Sequence, residues 1–345
     1  MKRIIIAISF ILGTAWAFGQ DTHFSQTAEI PLLINPGATG AFDGWERVIV
    51  NHRNQWLGAN TQFMTTNLAV DFNLLKSMTK PKAHLGLGLN FYNDIGGDAK
   101  FGTRNLALNV SGIVPFNKSH QLSAGVQIGF GQRSGDISKL YWGSQFNGQE
   151  FNSATPSGEI DQLNSFMYPE VGAGIYYRFS GGSSSFARNN NFGINAGFSM
   201  FHINKPKLQF RANSEERLDI KYVIHADMTM DFAGTDWGID VNLAQFIQGP
   251  HYETLFGAML KYRFSDGGKI TTFKQDAYFG IGASYRVLDA FIAQMQFSMK
   301  GFRVGLSYDV TASKLRQFHK GGSIEVSLSY TNMAHALFKR RRAYK

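Results

Sequence analysis

The 345-residue sequence contains no cysteine. Disulfides, thiolate nucleophiles, cysteine-ligated metal centres and lipidation of an N-terminal cysteine are therefore excluded. Beyond residue 20 no run of 18 uncharged apolar residues occurs, which rules out a membrane protein built from spanning helices. The HExxH pair, the G-x-S-x-G elbow and the G-x-x-x-x-G-K-[ST] phosphate loop are also missing. Proline is scarce, at 8 residues, so long extended stretches run without interruption. Two classes remain, an exported soluble protein and a transmembrane β-barrel.

Export is expected from the first nineteen residues. Lys2 and Arg3 precede an apolar stretch from Ile4 to about Ala15, and small residues stand at Ala17 and Gly19. This is the pattern of a secretory signal peptide cleaved after Gly19. The apolar run is roughly 12 residues, well short of the ~20 a spanning helix needs. Composition favours the barrel: 37 glycines, 30 phenylalanines and 14% aromatics describe strands and tight turns. The net charge of +9 is concentrated in the closing KRRRAYK, so it does not mark the body as a nucleic-acid binder.

Alternation carries the fold assignment. In FRVGLSYDVT, Phe302, Val304, Leu306, Tyr308 and Val310 share one face, against Arg303, Gly305, Ser307, Asp309 and Thr311. The run from Tyr252 to Phe264 and the run from Lys221 to Phe232 repeat that period of two. A soluble sandwich would carry mostly charged residues on its polar face, whereas here the polar face is rich in Gly, Ser, Asn, Gln and Thr. Phe91, Phe130, Tyr177, Phe179, Phe264 and Tyr330 lie near segment ends, as an interfacial girdle requires. The pattern predicts an all-β outer-membrane barrel of about 14 antiparallel strands, at residues near 46–54, 63–72, 83–92, 103–116, 119–131, 171–180, 192–203, 219–232, 236–246, 252–264, 277–286, 290–299, 302–311 and 322–331. The chain is then divided into a signal peptide (1–19), a periplasmic or lumenal segment (20–45), the barrel (46–331) and a basic tail (332–345).

Candidate chemistry is thin. The glycine pairs in GLGLNF, GAGIYY and GIGASY lack a third glycine and fall inside strands, where they allow a neighbouring strand or a lumenal plug to approach. His225, Asp227 and Asp231 share a lumenal face, but residues two apart on a strand are roughly 7 Å apart, too far for an acid/base dyad. Glu46, Arg47, His52 and Arg53 are expected to pair inside the barrel, because an unpartnered buried charge is costly. No catalytic residue, cofactor or metal site is assigned.

The stretch FSQTAEIPLLINPGATGAFDGWERVIVNHRNQW, through Phe24, Ser25, Gln26, Pro31, Leu32, Asn35, Pro36, Gly40, Arg53, Asn54, Gln55 and Trp56, resembles the PorP/SprF family of Bacteroidetes outer-membrane proteins. The resemblance implies a non-enzymatic component of type IX secretion and gliding motility. It would bind a large secreted adhesin at the cell surface, periplasmic ring or lipoprotein components, or both, in a lipid bilayer and without nucleic acid. Asn35-Pro36-Gly37 reads as a turn, and Leu32 to Ile34 as an apolar patch that plugs the barrel floor or docks to a neighbour. In the long external loop, Tyr141, Trp142, Phe146, Phe151, Phe166 and Tyr168 stand among polar residues and are the candidate partner surface. Two other readings stay open. A passive small-solute channel would use lumenal Lys221, Lys261, Arg263 and Arg303, and a barrel hydrolase would need His225 or Asp227.

Overall fold

The computed structural model of the protein describes residues 22–55, 63–77, 81–137, 140–158, 165–181, 191–210, 215–265, 277–312 and 322–333. The expected signal peptide and almost all of the basic tail lie outside the described residues, as does Trp56. Fourteen strands follow one another: β1 (Glu46–Gln55), β2 (Phe63–Leu74), β3 (His84–Gly96), β4 (Phe101–Pro115), β5 (His120–Ser134), β6 (Phe166–Gly181), β7 (Phe192–Phe201), β8 (Lys221–Asp231), β9 (Trp237–Gln248), β10 (His251–Ser265), β11 (Ala277–Arg286), β12 (Ala290–Met299), β13 (Phe302–Thr311) and β14 (Ser323–Asn332). Each pairs antiparallel with its neighbours in sequence, and β1 pairs with β14 from Glu46↔Asn332 to Asn54↔Ile324. The ring is closed, so no strand edge is left without a partner in the bilayer.

The two faces of the wall are chemically distinct. Leu68, Leu89, Leu106, Ile128, Ile281 and Leu328 point outward, whereas the inward positions carry Asn51, Asn67, Asn90, Asn109, Ser111 and Ser327, all buried. Cross-strand aromatic pairs ring the wall at two levels. Near the end where β1 begins are Trp237 with Tyr262 (5.0 Å), Phe264 with Phe297 (5.7 Å) and Phe302 with Tyr330 (4.6 Å). Near the other end are Phe198 with Tyr222 (6.4 Å), Phe256 with Tyr285 (5.8 Å) and Tyr285 with Phe291 (4.7 Å). A single-chain bacterial barrel closes with both termini in the periplasm, which makes the first level periplasmic and the second external.

Predicted segments and observed strands correspond one to one, with differences at the ends. The largest is in β6, which starts at Phe166 and runs past the outer end of β7, because its pairing with β7 begins only at Ala173↔Met200. Pro169 sits on this overhang, where its missing N–H leaves no ladder bond unmade. The exposed edge is covered by the following loop: Ile203 N–H donates to Val171 O (3.0 Å), and Asn204 Nδ2 donates to Pro169 O (2.7 Å).

The lumen is filled by the N-terminal segment, and the inward glycines make room for it. A Cβ on Gly86 would lie 2.2 Å from Thr39 O, one on Gly125 2.3 Å from Pro36 O, and one on Gly305 2.1 Å from Gln26 Oε1. Gly112 faces outward, and a Cβ there meets nothing within 4 Å. Gly125→Val is therefore expected to lower stability in detergent by about 1–3 kcal/mol through overpacking, read from the denaturant midpoint, while Gly112→Val leaves the midpoint unchanged.

Candidate functional site

The segment from Phe24 to Phe42 is buried almost throughout, as a short run of turns: a 3-10 turn at Thr27–Glu29, one helical turn at Pro31–Ile34 and a second 3-10 turn at Pro36–Ala38. Its sequence dictates this compact path. Pro31 and Pro36 each stand in the first turn of a helical element, where the missing N–H costs nothing. Asn35 Oδ1 accepts from Gly37 N (2.8 Å), closing the turn between them. Gly40, at φ +70°, sends the chain onward where a side chain would collide with Gly86 Cα. The apolar residues pack in two groups, Phe24, Ile30 and Ile34 with Phe201 and Val223, and Leu32 with Ile49 and Ala69.

Polar contacts fix the segment to the wall. Ser25 N and Gln26 N donate to the two oxygens of Glu325 (2.7 and 3.0 Å), and Ser25 Oγ donates to Asp309 Oδ2 (2.7 Å). Arg53 lies between these groups, with Nη2 3.0 Å from Asp309 Oδ2 and Nη1 3.0 Å from Ser25 Oγ and 3.8 Å from Glu325. Arg286 completes the clasp on Asp309 at 3.3 Å and on Ser25 Oγ at 2.7 Å. Two guanidinium groups thus face two carboxylates inside the wall, so each buried charge has an opposite neighbour. Farther along, Glu29 accepts from Arg303 (3.1 Å) and Gln296 (2.9 Å), and Ser199, Ser123 and Ser111 donate to the carbonyls of Ile34, Gly37 and Thr39.

Asn35 holds the middle of the plug. With Oδ1 occupied by Gly37 N, its Nδ2 donates to Ile175 O (2.8 Å) and to His225 Nε2 (3.1 Å). That imidazole nitrogen must therefore be the unprotonated acceptor. His225 serves the plug, and Asp227 stands 3.9 Å from its other nitrogen, beyond hydrogen-bond length. The cations of the channel reading are engaged as well: Lys261 with Asp240 (2.6 Å), Arg263 with Asp231, Arg303 with Glu29, and Lys221 over the Phe246 ring. Of the first-strand charges, Arg47 pairs with Asp71 (2.8 Å) beneath Phe42, and Glu46 accepts from Asn332. His52 departs from expectation. It faces outward and meets Thr66 at 2.8 Å, because its position in β1 has lipid-facing parity.

At the periplasmic end Arg178 pairs with Asp43 (2.5 Å), and Lys76 donates to the carbonyls of Phe42 and Gly44. The Arg178 guanidinium holds the Asp43 carboxyl below its ordinary value of 3.8. At the external end a cavity of about 30 Å³ lies between plug and wall, lined in part by His23, Leu33, Asn105, Glu170 and His202. The hairpin there, with Leu208, Phe210 and Leu218, packs on Phe166 and Tyr168. Phe166 and Tyr168 are thereby 8% and 3% exposed and belong to the rim, whereas Tyr141, at 81%, and Phe146 and Phe151 stay open to solvent. Tyr141 meets Phe151 edge to face at 5.0 Å, and Phe146 bridges Phe151 in a small antiparallel turn.

A model of the type IX secretion system membrane protein PorP/SprF matches residues 17–330. The chain belongs to the PorP/SprF family. No curated protein matches it. Among solved structures, the toluene transporter TbuX of Ralstonia pickettii aligns at 11% identity and a TM-score of 0.49, over 89% of this chain and 94% of that one. BamA of Haemophilus ducreyi aligns at 8% and 0.43, over 84% and 70%. These likenesses extend to the barrel form and no further.

The motif residues of this PorP/SprF chain separate into two groups. Phe24, Ser25, Gln26, Pro31, Asn35, Pro36 and Arg53 meet in the lumen, while Asn54 and Gln55 end β1 away from the plug contacts given above. Sequence reading did not find Glu325, Asp309, Arg286 or Arg178. Their inward parity was visible, but their partners depended on closure of the ring.

Arg53→Ala is expected to cost about 3–5 kcal/mol, since it removes a partner from two buried carboxylates. Combined with Asp309→Ala it costs less than the two single changes added, in a double-mutant cycle of denaturant midpoints. For Asp43 the depressed folded-state value means its contact is complete above 3.8 and is lost as pH falls through the lowered value. The protection factors of the amides in residues 40–44, exchange rates corrected for the intrinsic pH dependence, should therefore fall in acid, and Asp43→Asn should show the lower protection already at neutral pH.

Proposed function

We propose that this PorP/SprF protein is a non-enzymatic, plugged outer-membrane adaptor, exported through its N-terminal signal peptide. It binds a secreted surface adhesin, periplasmic motor partners, or both, and supports export or surface attachment. The observation that carries this reading is the plug. A lumen crossed by hydrogen bonds from Ser25, Gln26, Glu29, Asn35 and the carbonyls of residues 34–39 to strands around the wall leaves the protein its two rims for function.

The external rim supports the adhesin side of the proposal. Tyr141, Phe146 and Phe151 are exposed and Trp142 is partly buried, on a loop that Gln145 ties to Ser153 and Thr155, and Tyr141 meets Phe151 edge to face. Large rigid aromatics with little entropy to lose are the anchors protein interfaces use. Phe166 and Tyr168 lie in the rim cluster with Leu208, Phe210 and Leu218.

Two measurements test the reading. In planar bilayers the intact protein should show no steady open conductance, and a form lacking residues 24–42 should show a large one. A large steady current from the intact protein would instead establish the passive channel. In a gentle-detergent pull-down from the native outer membrane, a secreted adhesin or periplasmic ring components should co-purify. The double change Tyr141→Ala with Phe151→Ala should cut adhesin recovery at least about tenfold, in line with the loss of one or two interface anchors. A lone barrel surviving the same treatment would sink the adaptor proposal.

A further inference from the structure

The strands carry ten Lys/Arg and ten Asp/Glu. Among the described residues of the periplasmic connections stand Lys76, Lys82, Lys118 and Lys300 against Asp236 alone, whereas the described residues of the external connections carry four Lys/Arg and seven Asp/Glu.

Within the described residues this charge follows a pattern. Lys82 lies in the β2–β3 connection, Lys118 in the β4–β5 turn and Lys300 in the β12–β13 turn, and all three are exposed. In the ring order these turns lie on the arc that runs from β12 through the β14–β1 seam to β5. Each lysine has an exposed apolar neighbour on the lipid face of the same turn or strand end: Leu85 for Lys82, Phe116 for Lys118, Phe302 for Lys300. Among the described residues none of the three meets a carboxylate. Lys76, on the same arc, is turned inward onto the plug.

We infer that this arc is a binding surface for anionic phospholipid headgroups of the periplasmic leaflet. The apolar neighbours set the depth: Phe302 packs at a tilt against Tyr330 in the periplasmic girdle, so Lys300, two residues away, stands at the level of the lipid phosphates. A flexible ammonium stem reaches a phosphate as a point charge, and a lysine near an anionic surface is worth about 1 kcal/mol, or roughly fivefold in affinity. An acidic protein would meet the same charges, but it would not explain why each lysine is flanked by a side chain directed into the acyl layer.

The test is native mass spectrometry of the purified full-length protein, released from detergent after incubation with phosphatidylglycerol or phosphatidylcholine. The unaltered protein should retain phosphatidylglycerol over phosphatidylcholine by at least about fivefold. K82Q/K118Q/K300Q should fall to near parity while still migrating as a folded barrel in an unheated gel. K205Q/K207Q, in the hairpin at the opposite mouth, should keep the full preference. Parity in the unaltered protein, an unchanged preference in the triple variant, or an equal loss in the outer variant would each overturn the inference. So would a salt-sensitive acidic protein bound to the arc in the absence of any lipid preference.

Discussion

The clasp among Ser25, Arg53, Asp309, Glu325 and Arg286 is the interaction on which the rest of the molecule depends. It sits where the first and last strands meet, and it joins three separate requirements. The bilayer demands a closed ring, because an open edge would leave backbone groups without partners. The closed ring creates a lumen in which isolated charges are expensive. The plug resolves that expense by bringing its own backbone N–H groups and a serine hydroxyl to two carboxylates that Arg53 and Arg286 already neutralise. The glycines at Gly86, Gly125 and Gly305 follow from the same requirement, since at these points the plug lies too close to the wall for a side chain.

The electrostatics of the barrel then divide into three zones. Inside, opposite charges meet, as in Arg47 with Asp71 and Lys261 with Asp240. Among the described residues the external connections carry more carboxylates than cations, and the periplasmic connections carry more cations than carboxylates. A protein that must remain seated in one orientation, with different neighbours above and below, has reason to keep these zones apart.

How much of this was legible depended on the range of the interaction. The strands were readable because their signal is local: alternation through Phe302 to Thr311 or Tyr252 to Phe264 needs no knowledge of the rest of the chain. The turn at Asn35-Pro36-Gly37 was readable for the same reason. The identity of the clasp was not, since Ser25 and Glu325 are separated by 300 positions and meet only once the ring is shut. His52 and Arg53 show the limit most directly. As neighbours on one strand they look equivalent, yet opposite parity sends the first toward lipid and the second into the clasp. Phe166 and Tyr168 were placed in the external loop with Tyr141 because nothing local revealed that β6 begins at Phe166 and that a later hairpin would pack on it.

The separation between Ser25 and Glu325 also orders events in time. Closing so long a loop is among the slowest steps a chain of this kind can take. A nascent chain that stops short of β14 lacks both the final strand and Glu325, and so cannot mimic the finished form. Completion of the wall and the binding of Ser25 N and Gln26 N by Glu325 therefore depend on one and the same strand.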